Sequence, residues 1–324
     1  MRAGFALWAN PSSPHAEGRA ARAALEDARV RIKAALWWDG ELIFTSGASE
    51  ALALAITHSA KPLVAVSAVE HDAVLRHAQD AARIPVDALG LIDPAACGHA
   101  GLVAVQQANS ETGVMQPLEA VADAVRGAGG VLLADCAQGA GRLALPDADM
   151  LVISAHKFGG PIGIGALLLR DFALLKPTGG QERGYRGGTE NLPGALAMAA
   201  VLETGAEWLD EAVRLRHRLD DAIEAAGGES VAVDTARTPT VASYQMPGVS
   251  SAVQLIRFDA AGFAVSAGSA CSSGSLRTSH VLQAMNYPHA EEVIRVSIGH
   301  ETTEAEIDAF VGAWRAIAET AQAA

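Results

Sequence analysis

Cysteine is scarce in this chain: three residues in 324, at positions 97, 136 and 271. Three scattered thiols make no disulfide framework and imply a reduced, cytosolic chain. No apolar run reaches the roughly 20 residues that a membrane-spanning helix needs. The N-terminus lacks the long apolar stretch of a secretory signal. The chain is therefore expected to be cytoplasmic, with no membrane among its partners. Positive charge is also short: 24 Lys and Arg stand against 37 Asp and Glu, a formal net charge of −13. That excess of acid argues against nucleic acid and anionic membrane as partners. Apolar side chains, by contrast, make up half of the residues. A chain of this length can bury one large core or two moderate ones.

Short apolar runs alternate with helical patterns. Residues 42–45, 62–67, 84–86, 102–106, 131–134, 150–153 and 166–170 read as strands, and the intervening helices imply a mainly parallel sheet covered on both faces. Near the start, Ser13 before Pro14 predicts a helix N-cap. The helix that follows places Leu25, Ala28, Ile32 and Leu36 on one face. From residue 195 a long helical pattern (Leu196, Ala199, Leu202, Ala206, Leu209) spans the expected join between a domain at 1–206 and a smaller one at 207–324. In the second, 241–245, 263–265 and 293–298 read as strands, and 253–258, 279–285 and 303–321 as helices.

Several reactive residues fall at expected strand ends, where open α/β sheets bind ligands. Lys157 follows the run 150–153 in Ser154-Ala155-His156-Lys157, with glycines at 159, 160, 163 and 165. It is either a solvated charge at a loop entrance or a lysine of depressed pKa, able to form a Schiff base with an aldehyde. Asp135 closes the run 131–134. An acid at a buried strand end needs a cationic partner, unless it caps a helix. The turn Gly47-Ala48-Ser49-Glu50 joins strand to helix, and the free N–H groups and dipole of a helix start attract anions. A plain capped helix would carry the same residues. His71 follows the run 62–67 and is either structural or a proton carrier. The Gly-rich loop 179–194 is long enough to suggest function. Cys136, in an apolar segment, and Cys97 read as small core residues. Cys271 lies in a Gly/Ser tract that cannot pack a core, and reads as a mobile thiol. Arg295, inside an apolar strand, suits a carboxylate of either the protein or a ligand.

Taken together, NPSSPH (10–15), TSGASEALALAI (45–56), EHDAVL (70–75), NSETGVMQP (109–117), DCAQGAG (135–141), SAHKFGGPIGIG (154–165), GGQERGYRGGTENLPG (179–194), SAGSACSSGSL (266–276) and IRVSIG (294–299) resemble the class V aminotransferase family, and within it the cysteine desulfurases. The resemblance runs from about residue 10 to the end. It implies an α/β fold-type I pyridoxal-phosphate-dependent transferase. Such a protein has a large domain with a mainly parallel central sheet and a smaller C-terminal α/β domain carrying the catalytic cysteine loop. The implied cofactor is pyridoxal 5'-phosphate on Lys157, with Ser154 and His156 beside it and the phosphate in the turn of Gly47, Ala48 and Ser49. Asp135 would pair with the pyridine nitrogen, which makes the ring an electron sink. His71 would stack on the ring and pass protons, and Gln138 would bond the ring oxygen. Asn109 and Ser110 lie beside the ring by the same resemblance, Ser110 standing where many members have Asn. Thr189 would reach the phosphate of the other subunit of a homodimer.

Arg295, with Asn109, would hold the substrate L-cysteine, and Cys271 would take its sulfur as a persulfide, leaving L-alanine. The persulfide would pass to a protein acceptor, such as an iron–sulfur scaffold or a thio-modification protein. Another class V reaction (aminotransferase, selenocysteine or cystine lyase) and an inactive homologue are the alternatives. A simple transaminase gives Cys271 no task. No metal site is expected. Family members usually begin further upstream, with a strand and an Ala-Thr-Thr turn that nothing here matches. Either the chain starts short or it is a trimmed member with a more open site.

Overall fold

Seven apolar runs in the first two hundred residues form strands β1 (Glu41–Thr45), β2 (Leu63–Ser67), β3 (Ala82–Ile84), β4 (Leu102–Gln106), β5 (Val131–Asp135), β6 (Met150–Ser154) and β7 (Gly165–Leu169). The structure is a computed structural model that describes residues 1–268 and 278–322. The strands make one sheet in the order β1-β7-β6-β5-β4-β2-β3. Within it β7 runs antiparallel to both neighbours, and the other ladders are parallel. β1 therefore shares the direction of β2 to β6. Every residue of β4, β5, β6 and β7 is buried, as expected for a sheet covered on both faces. The carboxyl ends at Thr45, Ser67, Gln106, Asp135 and Ser154 consequently share one edge.

This sheet belongs to the first of two units, Met1–Ile84, Asp93–Gln107 and Pro117–Ala206. Its helices are α1 (Arg2–Ala6), α2 (Ala16–Ala35), α3 (Ala48–Thr57), α4 (Asp72–Leu75), α5 (Leu118–Gly127) and α6 (Leu192–Leu202). Ile43, Leu52, Val66, Leu102, Leu133, Val152 and Leu167 form the centre of its core. α2 buries Leu25, Ala28 and Ile32 as its periodicity predicts, and it packs against α6. Its N-cap is His15 rather than Ser13: His15 Nδ1 accepts the Gly18 N–H at 3.1 Å. The Ser13 backbone lies against Gly18, where a Cβ would stand 2.4 Å from the Ser13 oxygen. The expected strand at 84–86 pairs two residues earlier, as β3.

The loop 179–194 is anchored. Glu182, 2 % exposed, accepts two hydrogen bonds from Arg29, at 2.8 and 3.0 Å, and one from the Phe44 N–H at 2.8 Å. A buried ion pair repays its desolvation only when its remaining donors and acceptors are filled. Here Arg29 also bonds the Leu42 carbonyl and Glu26. The pair fixes the loop to β1 and α2.

The second unit comprises Pro85–Ile92, Ala108–Gln116 and the chain from Glu207 onward. It contains α7 (Leu209–Glu224), β8 (Glu229–Ser230), β9 (Val241–Gln245), α8 (Ser251–Ala260), α9 (His280–Ala284), β10 (Val293–Ser297) and α10 (Glu304–Gln322). An antiparallel sheet, β10-β9-β8, packs Tyr244 and Ile294 into a core with Leu219, Phe258, Phe310 and Trp314. Two expectations fail. The long helix from residue 195 is two helices, α6 and α7, interrupted at Gly205 (φ +73°), a conformation that glycine adopts without strain. Residues 263–265 form no strand, and this segment joins β10 only through an isolated bridge, Ser266 to Arg295. Among the described residues no helix is long and apolar enough to cross a membrane.

Candidate active site

The sheet edge is built from the backbone outward. β1 ends at Thr45 and α3 begins at Ala48, with Gly47 as its N-cap. No side chain among the described residues caps this helix, so its first-turn N–H groups are open to an anion. Such a helix start stabilises an anion by about 0.3–1 kcal/mol on a surface and up to about 2 kcal/mol when partly buried. Thr45 Oγ1 donates to the Gly47 carbonyl at 3.0 Å. Glu50 accepts the Ser46 N–H at 2.5 Å and pairs with Arg186 at 2.8 Å. A Cβ on Gly47 would stand 3.5 Å from Ser154 Oγ, so the turn and the end of β6 face each other. Gly165 makes this approach possible: a Cβ there would lie 2.6 Å from the Ile153 oxygen and 2.7 Å from Gly47 Cα. Ser49 is exposed and Ala48 half-buried.

Lys157, half-buried, closes a short 3-10 turn, Ala155–Lys157, directly after β6. The glycine loop folds back onto that turn. Gly160 and Phe158 donate to the Ala155 carbonyl at 2.8 and 3.1 Å, and Ala155 donates to the Ile164 carbonyl at 3.1 Å. The Arg142 guanidinium donates to the Lys157 carbonyl. Ser154 Oγ lies 3.0 Å from His156 Nδ1. Burial, and then the charge of Lys157, lowers the pKa of His156.

Asp135 ends β5, with one oxygen accepting the Ala137 N–H at 2.9 Å. Burial raises its pKa, while the Ala137 hydrogen bond and then the charges of His71 and Lys157 pull it down. His71 and Lys157 are thus each within electrostatic reach of Asp135. His71 caps α4 by accepting the Ala73 N–H at Nδ1, 3.1 Å away, which leaves that nitrogen unprotonated. Gln138 is buried. Glu70, missed as a site residue, is fully buried and accepts the Gln106 N–H at 2.7 Å. Burial and the nearby Asp135 push its carboxyl well above the usual range. The same two causes push the Cys136 thiol up, and burial with Asp93 raises Cys97 to about 11. Neither thiol is a nucleophile at neutral pH.

In the second unit Asn109 Oδ1 accepts from the Glu111 N–H and the Thr112 N–H, both at 2.9 Å, and from Thr112 Oγ1 at 3.3 Å. It shapes its own loop. Ser279 Oγ fastens that loop by donating to Glu111 at 2.5 Å. Arg295 donates from Nη1 to the Ser110 carbonyl at 2.9 Å and from Nη2 to Ser266 Oγ at 3.1 Å. Among the described residues its buried Nε finds no hydrogen-bond partner, and no carboxylate lies within ion-pair distance. Cys271 lies outside the described residues. Thr189 is exposed in its loop.

Residues 6–310 match the family described as Aminotransferase class-V. The chain belongs to that family. It is 40 % identical to a cysteine desulfurase of Bradyrhizobium diazoefficiens, over 93 % of this chain and 85 % of that one. It is 37 % identical to a cysteine desulfurase of Cereibacter sphaeroides, over 92 % and 86 %. The crystal structure of a NifS-like protein from Rickettsia africae superposes with a TM-score of 0.89 at 26 % identity, covering 98 % of this chain and 95 % of that one. The architecture is that of fold-type I.

The first unit of this class V member fits pyridoxal phosphate. The uncapped start of α3 suits the phosphate. Asp135, whose burial disfavours its charge, suits a cationic ring nitrogen, and Lys157 suits the aldehyde. Sequence patterns alone assigned no tethering role to Glu182, Glu50, Arg186 or Asn191, which hold these parts in place. The Asn191-Leu-Pro193 run was the one local sign, because it is an N-cap followed by proline.

Proposed function

We propose that this class V protein is a cysteine desulfurase that converts L-cysteine to L-alanine and passes the sulfur, as a persulfide on Cys271, to a protein acceptor. The grouping of Asp135, His71 and Lys157 on a sheet edge beside an uncapped helix start carries the reading. The similarity to named cysteine desulfurases supports it. Bound pyridoxal phosphate supplies an electron sink for charge that develops at the substrate Cα.

The protein's own groups do the rest. Lys157 holds the cofactor and moves the proton at the substrate Cα. By the family resemblance, Asp135 would keep the ring nitrogen protonated, Gln138, Asn109 and Ser110 would help hold the ring, and His71 would lie beside it and pass protons. Gly47, Ala48 and Ser49 hold the phosphate, Ser154 and His156 flank the lysine, and Thr189 completes the phosphate site of the partner in a homodimer. Arg295 binds the α-carboxylate, a role supported by its unfilled Nε and by the lack of an ion-pairing carboxylate among the described residues. The Cys271 thiolate attacks the substrate sulfur. The S–S bond forms as the Cβ–S bond breaks, its electron pair stays on carbon, and a proton completes the methyl group of alanine. The acceptor is a cytoplasmic iron–sulfur scaffold or thio-modification protein.

The deciding experiment records the visible spectrum of the purified protein and then assays alanine and sulfide after L-cysteine is added with a reducing thiol. A yellow protein giving equimolar alanine and sulfide is expected. Cys271→Ser is expected to keep the colour while sulfide falls to background. A keto-acid product would instead assign a transaminase, and a colourless protein that stays so after pyridoxal phosphate is added would refute the cofactor.

A further inference from the structure

We propose that Asn191 is a positioning residue that fastens the loop carrying Thr189 to the loop that follows Lys157, and so sets how firmly the cofactor is held. This rests on the reading of Lys157 and Thr189 as cofactor contacts. One amide makes both connections. Asn191 Oδ1 accepts the Gly194 N–H at 3.0 Å and caps α6. Its Nδ2 donates to the Gly163 carbonyl, also at 3.0 Å. The amide lies flat on Gly194, where a Cβ would stand 2.6 Å from Nδ2. Gly163 is in turn tied to the lysine: the next carbonyl, that of Ile164, accepts from Ala155, whose own carbonyl holds Phe158 and Gly160 around the turn ending at Lys157. Thr189 stands two residues before Asn191. Glu190, between them, is buried with Arg22 3.6 Å away, so the segment has little freedom to move independently.

The two ends of the amide demand different chemistry. Capping needs only an acceptor, which Asp or Ser also supplies. The bond to Gly163 needs a donor at the far end of the side chain, and Asn provides donor and acceptor together. Asn191→Asp keeps the cap but turns an oxygen toward the Gly163 carbonyl. Asn191→Ser keeps the cap and falls short of Gly163. Asn191→Ala loses both.

The test compares these three variants with the wild type. Thermal midpoints are measured on apo protein. Pyridoxal phosphate release is followed on loaded protein as loss of the visible band after dilution into a scavenger, and the pH midpoint of that band is recorded. Asn191→Asp and Asn191→Ser are expected to keep the apo midpoint, release cofactor about tenfold faster or more, and shift the band's pH midpoint, since a small misplacement of contacts costs that much or more. Asn191→Ala is expected also to lower the apo midpoint. Wild-type release from both capping variants overturns the proposal. So does an Asn191→Asp apo midpoint as low as that of Asn191→Ala, because the bond to Gly163 would then serve the stability of the fold rather than the hold on the cofactor. A wild type that takes up no pyridoxal phosphate refutes the proposed function, a result distinct from either of these.

Discussion

On the proposed reading, Lys157→Ala is expected to give a folded protein whose alanine output falls by at least about 10²–10⁴-fold, the range for loss of a positioned acid–base group, with further loss because the same residue would anchor the cofactor. The fold should survive. The Lys157 backbone carries the local structure, through the turn Ala155–Lys157 and the bond from Arg142 to its carbonyl. The uncapped start of α3 is untouched, so pyridoxal phosphate should still bind, weakly and removably by dialysis, where the wild type retains it. Added methylamine should restore part of the turnover by replacing the missing amine. Wild-type alanine output from Lys157→Ala would move the chemistry to another residue and reduce Lys157 to a loop charge.

The parts of this site that were legible in the sequence are those that follow one another along the chain. The runs at 102–106 and 241–245 became β4 and β9 with the expected bounds, because a fully buried strand needs little more than consecutive apolar side chains. Lys157, Asp135 and Gly47 were legible because each directly follows such a run, and parallel strands deliver their ends to one edge. What stayed hidden depends on partners far apart in sequence. Arg29 and Glu182 are separated by 153 positions, and Asn191 and Gly163 by 28. Glu182 and Glu70 look like surface acids until the structure shows what fills their hydrogen bonds. Residues 263–265 mislead in the opposite direction. Phe263-Ala264-Val265 has the apolar character of a strand, but a strand also needs a partner along its length, and only Ser266 finds one.

Asp135→Asn is expected to separate stability from catalysis. In the apo protein, burial raises the folded-state pKa of Asp135 above the ordinary 3.8. A carboxyl shifted upward supports folding fully only below its unfolded pKa, and that support is lost as pH rises through the folded value. At neutral pH apo Asp135→Asn should therefore be more stable than the apo wild type, with the advantage shrinking toward zero as the pH falls below about 4. The amide oxygen can still accept the Ala137 N–H, so the turn after β5 is preserved. Turnover should move in the opposite direction. Asparagine cannot hold a proton on the ring nitrogen, and loss of one preorganised charge at a reacting centre costs about 10²–10³-fold. With pyridoxal phosphate bound, the cationic nitrogen offsets the burial of the carboxylate, and the order of stability should reverse in favour of the wild type. Thermal denaturation of both proteins, apo and loaded, from below pH 4 up to pH 8 checks the stabilities, and an alanine assay at neutral pH checks the turnover. If apo Asp135→Asn melts below the apo wild type at neutral pH, the carboxylate is already well paired within the protein, and a ligand cation is not what this end of β5 is built to hold.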